Sequence, residues 1–211
     1  MPIPIELYSD FACPYCFLAD VVLQQATAGK DVSVERMPFE LRPYPAPTLR
    51  PEGQFVQNAW RNSVAPLATR LGIEIRVPAV SPLPYTRLAF EGLEFAKDHR
   101  KAAEYFGRVM RGMWQESQDI GDPAVLARLA SEIGLSADAF HSALDTRQYR
   151  DRVEKLLHHA YQEMAVTGVP VFVIGDCMLT GVQSRETLTS SIDQALSAST
   201  TAAKRSVASE N

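Results

Sequence analysis

Cys13-Pro14-Tyr15-Cys16 follows the apolar run Ile3-Pro4-Ile5-Glu6-Leu7-Tyr8 and opens a helix-like run over 17–28. An apolar strand, a Cys-x-x-Cys pair and then a helix is the layout of a dithiol/disulfide centre. Pro14 suits a first helical turn, where its missing N–H costs nothing. Cys13 then stands at the helix start, where unpaired backbone N–H groups and the positive end of the helix dipole favour the attacking thiolate. Cys16 lies one turn further in and is expected to be the more buried. Positions i and i+3 are neighbours on a helix, near enough for a disulfide with little rearrangement. This spacing predicts Cys13 as the exchanging thiol and Cys16 as the resolving one. Pro14 and Tyr15 are the active-site pair that tunes thiolate stability.

Outward from this centre, the helix is expected to end near Gly29. The alternating stretch 32–39 reads as a second strand, which makes a right-handed βαβ unit. Pro43, Pro45, Pro47 and Pro51 bar a helix from the loop over 42–51. A long helical region follows, with apolar residues at helical spacing (Phe55, Trp60, Val64, Leu67 and Leu71, then Leu88 to Phe95, then Ala103 to Trp114). Asp122-Pro123 and Ser136 start further helices, and 149–164 is expected to form the last and longest helix of this region. Strand character returns only at Val171-Phe172-Val173-Ile174. A Gly175-Asp176 turn and a return strand at Met178-Leu179-Thr180 follow. Ser184 is placed to cap a final helix to about residue 196, and the small polar end of the chain is expected to be a frayed tail. The fold class is therefore α/β, a βαβ half and a ββα half separated by a large all-helical insertion. The expected units are 1–51 with 166–198, an inserted helical domain over 52–165, and a disordered tail over 199–211.

That order is the thioredoxin fold with a helical domain inserted between its halves. The chain resembles the DsbA-like thiol oxidoreductases, and within them the cytoplasmic FrnE-type branch. The resemblance rests on Ser9-Asp10-Phe11-Ala12-Cys13-Pro14-Tyr15-Cys16, Phe39-Glu40-Leu41-Arg42-Pro43, Thr167-Gly168-Val169-Pro170-Val171-Phe172-Val173-Ile174 and Gly181-Val182-Gln183, in that order along almost the whole chain. Two departures stand out. The dipeptide between the cysteines is Pro-Tyr, where the family often has Pro-Trp. The related hydroxychromene carboxylate isomerases, which are glutathione-dependent, typically have serine where this chain has Cys13. The resemblance implies a cis Val169–Pro170 bond beside the cysteines, with the Val169 backbone meeting the substrate. Gln183, on the stretch returning toward that end, is either a substrate contact or a residue preceding the helix cap. Asp10 and Glu40 end the two strands that point at the site. Each is a candidate for proton transfer at Cys16, against the simpler roles of loop cap and surface charge.

Composition narrows the function. The chain has 211 residues, 46% of them hydrophobic, and a net charge of -4. That suffices for one generous core and argues against a nucleic-acid surface. No apolar stretch approaches the roughly 20 residues of a membrane span, and the N-terminus lacks the pattern of a signal peptide, so a cytoplasmic protein is expected. Three cysteines exclude a stapled secreted framework. A zinc site would need two further ligands beside Cys13 and Cys16, and Cys177 and the four histidines form no second pair with metal spacing. Cys177 falls at a hairpin turn roughly 16 Å from Pro170 at about 3.3 Å per residue, too far to join the pair. Trp60, Met110, Met113 and Trp114 read as core, with a substrate groove as the alternative.

The leading expectation is a thiol-disulfide oxidoreductase that needs no metal or nucleotide, since the Cys13–Cys16 pair is itself the redox group and glutathione is a conceivable co-substrate. Its partners would be protein disulfides or dithiols, or glutathione, and it would act as a monomer or homodimer. The alternatives are a glutathione-dependent isomerase or transferase of an aromatic or polyketide-like substrate, and a redox-insensitive peptide-binding module. The first needs both thiols, the second at most Cys13, the third neither.

Overall fold

The structure, a computed structural model, describes residues 2–208. A four-stranded sheet runs in the order β2-β1-β3-β4. Its strands are β1 (Ile3–Ser9), β2 (Val32–Pro38), β3 (Val171–Ile174) and β4 (Cys177–Thr180). β1 pairs parallel with β2 and antiparallel with β3, and β3 and β4 form a hairpin. Ile174 pairs with Cys177, leaving Gly175-Asp176 as a two-residue loop, and Gly175 takes φ +57, a conformation glycine adopts at little cost. The return strand thus begins one residue earlier than the sequence suggests, at Cys177.

Strand periodicity sorts the sheet's faces. Ile5 and Leu7 pair with Ile174 and Phe172 and pack under α1 (Pro14–Thr27) and the C-terminal helix through Ala19, Val22, Leu188 and Ile192. Tyr8, Met37, Phe39 and Val171 form the opposite face, covered by Ala160 and Val166. Between the two halves lie α2 (Gln54–Ala59), α3 (Ala65–Leu71), α4 (Arg87–Asp98), α5 (Ala102–Trp114), α6 (Pro123–Ser131), α7 (Ala137–Asp145) and α8 (Arg150–His158). The expected caps are formed. Asp122 accepts the Ala124 N–H at 2.8 Å, Ser136 the Ala139 N–H at 3.3 Å and Ser184 the Thr187 N–H at 3.1 Å.

Three expectations need correction. The stretch 149–164 is not one regular helix, because α8 gives way to a π-helical turn over His159–Glu163. A second π turn, Trp60–Val64, interrupts the helix expected through 55–71. Such turns rotate the side chains that follow them, which apolar spacing alone does not reveal. The final helix, α9, does not stop near 196. It runs Arg185–Ala208 and is the longest of the described helices, since no proline or glycine interrupts the Ala- and Ser-rich sequence there. Of the expected tail, 209–211 lie outside the described residues.

One apolar core joins α1 to the inserted helices. Phe11, Cys16, Phe17 and Leu18 share it with Phe90, Phe106, Met110 and Trp114. A buried ion pair lies beside it, with Arg36 of β2 against Asp20 of α1 at 2.8 Å and over the Phe106 ring at 5.2 Å.

Candidate active site

The site forms where β1 ends and α1 begins. Cys13 is the helix N-cap and Pro14 occupies the first turn. The Cys13 N–H donates to the Asp10 carbonyl at 3.1 Å, and the Asp10 N–H points at the Cys16 sulfur at 3.5 Å. These contacts close the loop over 10–13 upon itself, so both sulfurs have fixed places. The Cys13 side lies 4% exposed and Cys16 is fully buried, the expected order. Burial pushes the Cys16 thiol well above its ordinary pKa, and the hydrogen bond that its S–H donates to the Cys13 sulfur and the negative charge of a Cys13 thiolate push the same way. Cys16 is thus held as a neutral thiol until a base relieves it.

Val169 and Pro170 arrive from the far half of the chain. Their peptide bond is cis, and the Cys13 thiol lies 3.8 Å from the Val169 carbonyl oxygen, a contact spanning 156 positions in sequence. No backbone hydrogen bond engages the Val169 N–H among the described residues, so an open backbone edge stands beside the exchanging sulfur.

Asp10 and Glu40, equivalent in the sequence reading, separate here. Asp10 is buried, and burial raises its carboxyl to about 6; the N–H groups of Leu41 (2.8 Å) and Ala12 (3.1 Å) and the Thr86 hydroxyl oppose that shift, and the Glu40 charge adds to it. Its charge also acts on the Cys16 thiol. Glu40 is engaged elsewhere. Both its oxygens take the Arg87 guanidinium at 2.7–3.2 Å, while the Tyr161 hydroxyl accepts from its N–H and donates to its carbonyl. Gln183 is also committed locally, donating to the carbonyls of Thr180 at 2.7 Å and Gly181 at 3.3 Å. Cys177 is exposed on the distant hairpin.

The inserted helices form the site's outer wall. The Trp114 indole N–H donates to the Phe11 carbonyl at 2.8 Å, and the Tyr15 hydroxyl donates to Ser63 at 2.8 Å. Trp60 stacks on Trp114 with ring centres 6.5 Å apart. Of the four residues read from sequence as core, Met110, Met113 and Trp114 are buried in it and Trp60 packs against it half-buried. The two tryptophans also line an apolar cavity of about 270 Å3 that opens onto Cys13. A neighbouring cavity of about 220 Å3 reaches Asp10. Leu41, Leu49, Phe55 and Leu83 line both. Helical spacing marks Trp114 as buried but carries no sign of its hydrogen-bond partner, and nothing local in the sequence points to Thr86 or Phe55.

Among the described residues no group of three or more His, Cys, Asp or Glu gathers at metal-binding distance, and no helix is long and apolar enough to cross a membrane.

Comparison with known proteins places this geometry in context. The family described as DSBA-like thioredoxin domain matches residues 4–193. The chain is 48% identical over 187 residues to the uncharacterized protein YwbO of Bacillus subtilis, covering 88% of this chain and 94% of that one. The probable DsbA oxidoreductase SCO1869 of Streptomyces coelicolor superposes with a TM-score of 0.76 at 23% identity, over 92% of this chain and 90% of that one. A 2-hydroxychromene-2-carboxylate isomerase superposes with a TM-score of 0.71 at 19% identity, over 99% and 100%.

Proposed function

The chain belongs to the DsbA-like thioredoxin domain family, and from that premise we propose that it is a thiol-disulfide oxidoreductase working through Cys13-Pro14-Tyr15-Cys16. The observation that carries this reading is the pairing of a thiol at a helix start, 3.8 Å from the Val169 carbonyl, with a fully buried second thiol one turn below it. An isomerase that needs only glutathione has no use for the second.

In the reducing direction the Cys13 thiolate attacks one sulfur of a substrate disulfide. A mixed disulfide forms and the first substrate thiolate leaves. Asp10, ionised, takes the proton from Cys16. The Cys16 thiolate then attacks the Cys13 sulfur, the second substrate thiolate leaves, and a Cys13–Cys16 disulfide remains. Two electrons pass to the substrate, and the two leaving thiolates take up two protons. Oxidation of a substrate dithiol is the same sequence reversed. Turnover requires a second thiol or disulfide, either glutathione or a dithiol protein. The dithiol is itself the redox group, with no metal or nucleotide. The Val169 backbone edge suits an extended substrate chain. Gln183 is the weakest of the proposed substrate contacts, its amide already engaged. The proposed setting is the cytoplasm, as a monomer or homodimer.

The test is redox equilibration of the pair in glutathione buffers together with reduction of insulin disulfides. A reversible two-electron couple is expected, with exchange abolished in Cys13→Ser and mixed disulfides trapped in Cys16→Ser. Activity indifferent to Cys16 overturns the reading in favour of a glutathione-dependent isomerase or transferase, for which the apolar cavity beside Cys13 would hold the substrate.

A further inference from the structure

Three residues that take no part in the exchange converge on Asp10 through one peptide group. The Leu41 N–H donates to Asp10 Oδ2 at 2.8 Å. The carbonyl of that same peptide belongs to Glu40. The Tyr161 hydroxyl donates to it at 2.9 Å and accepts the Glu40 N–H at 3.0 Å. A hydrogen bond on the carbonyl of a peptide strengthens its N–H as a donor. Burial raises the Tyr161 hydroxyl above its ordinary range, so it stays protonated and able to donate at neutral pH. The ring of Tyr161 packs edge-on against Phe39 with centres 4.9 Å apart, and the residue sits in the π turn His159–Glu163. The Glu40 carboxylate is almost fully buried and spends both oxygens on the Arg87 guanidinium at 2.7–3.2 Å. Glu154, at 3.6 Å from Arg87, is held more closely by Arg150 at 2.9 Å, which leaves Glu40 as the main partner. Thr86, the residue before Arg87, is buried and hydrogen-bonds Asp10 through its hydroxyl. Neighbouring residues at the start of α4 therefore serve the two carboxylates separately.

Resting on the oxidoreductase reading, we infer that Tyr161, Glu40 and Arg87 are positioning residues for Asp10 and hold it as the acceptor of the Cys16 proton. Tyr161 fixes the peptide that donates to the Asp10 carboxylate. Arg87 cancels the Glu40 charge, which would otherwise oppose ionisation of Asp10. The proton passes from Cys16 Sγ to the Asp10 carboxylate. The Cys16 thiolate then bonds to the Cys13 sulfur and the substrate thiolate leaves. The titratable and charged groups around Asp10 are Cys13 and Cys16 from α1, Glu40 after β2, Tyr161 from the π turn, Arg87 from α4 reached through Glu40, and Arg42 on the wall of the Asp10 cavity. Glu40 and Arg87 carry opposite charges, so removing one or the other acts on Asp10 in opposite senses.

The experiment mixes the reduced full chain with excess dithiobis(nitrobenzoate) by stopped flow over the acid-to-neutral range. A Cys177→Ser background removes the exposed third thiol. Attack by Cys13 releases the first aromatic thiolate at a rate set by reagent concentration, and attack by Cys16 releases the second at a rate independent of it. The second phase is expected to rise with pH about an inflection near 6, the value to which burial raises Asp10, and to lose that inflection in Asp10→Asn. Arg87→Gln should displace the inflection upward by about one pH unit, and Arg87→Lys by less, since it keeps the charge. Tyr161→Phe should also displace it upward, and Glu40→Gln downward. A merely structural role moves no pair of variants in opposite directions. An inflection that stays in place in these variants, or moves the same way in Glu40→Gln as in Arg87→Gln, overturns the positioning role. If Arg87→Gln does not fold, Arg87→Lys and Glu40→Gln carry the same comparison. A parent protein with no concentration-independent phase defeats the oxidoreductase reading and the positioning role with it. A phase that is present but keeps its inflection in Asp10→Asn defeats the positioning role alone.

Discussion

Asp10 carries the clearest pH signature of any single residue here. Its carboxyl is raised from an ordinary value of 3.8 to about 6, chiefly by burial. Between these values the native protein binds a proton that the unfolded chain has released, so stability falls as pH rises through the window. The full shift corresponds to about 3 kcal/mol lost by pH 7. Asp10→Asn removes the titration but keeps an oxygen for only one of the two N–H groups, since Ala12 and Leu41 donate to different oxygens of Asp10, a cost that is the same at either pH. Urea unfolding at pH 4 and pH 7 should show the variant gaining on the wild type by up to that amount as pH rises. A constant difference between the two proteins would contradict the raised value. The same variant should slow the step in which Cys16 attacks, visible as longer-lived mixed disulfide at neutral pH.

Among the elements, α1 is held from two sides. Asp20 on its inner face meets Arg36 of β2, both almost fully buried, and Asp20 also takes a hydrogen bond from Gln24 at 2.6 Å. Asp20→Ala leaves Arg36 charged and unpaired against Phe106, and should cost about 3–5 kcal/mol in denaturant unfolding. A loss below 1 kcal/mol would mean that water reaches the guanidinium. On the outer side, α5 reaches the loop before Cys13 through the Trp114 indole. Trp114→Phe keeps a ring in the cavity wall but strands the buried Phe11 carbonyl, a cost of about 1–3 kcal/mol. Exchange should slow in this variant, because the loop that places Cys13 loses its tether to the helical region.

For the molecule as a whole, the shared core implies that the inserted helices and the sheet unfold together. Both tryptophans of the chain lie at their junction, stacked in the wall beside Cys13. Tryptophan fluorescence reports that junction, while far-ultraviolet circular dichroism reports helix throughout. Coincident urea transitions by the two probes are expected. An earlier fluorescence transition would show the insertion detaching as its own unit, along the boundaries 52–165 read from the sequence.

Periodicity and punctuation carried most of the architecture. Alternation in 3–8 and 171–174, Pro14 beside a Cys-x-x-Cys pair, and Gly175-Asp176 each act within a few residues, so a linear reading finds them. The order of the halves and the burial of Cys16 below Cys13 follow from such local rules. What local rules do not contain is which distant groups meet. Asp10 and Glu40 look alike in sequence, yet packing gives one a buried place beside Cys16 and the other an arginine from α4. Trp60 and Trp114 share the spacing of Met110 and Met113 and pack in or against the same core, yet only the tertiary structure shows that the two tryptophans also wall the cavity beside Cys13. Sequence alone therefore determined the thiol pair, the strand order along the chain and the helical insertion. Only the tertiary structure decided the protonation of Asp10, the commitment of Glu40 and the shape of the pocket, because burial, charge pairing and cavity volume are properties of residues brought together from remote parts of the chain.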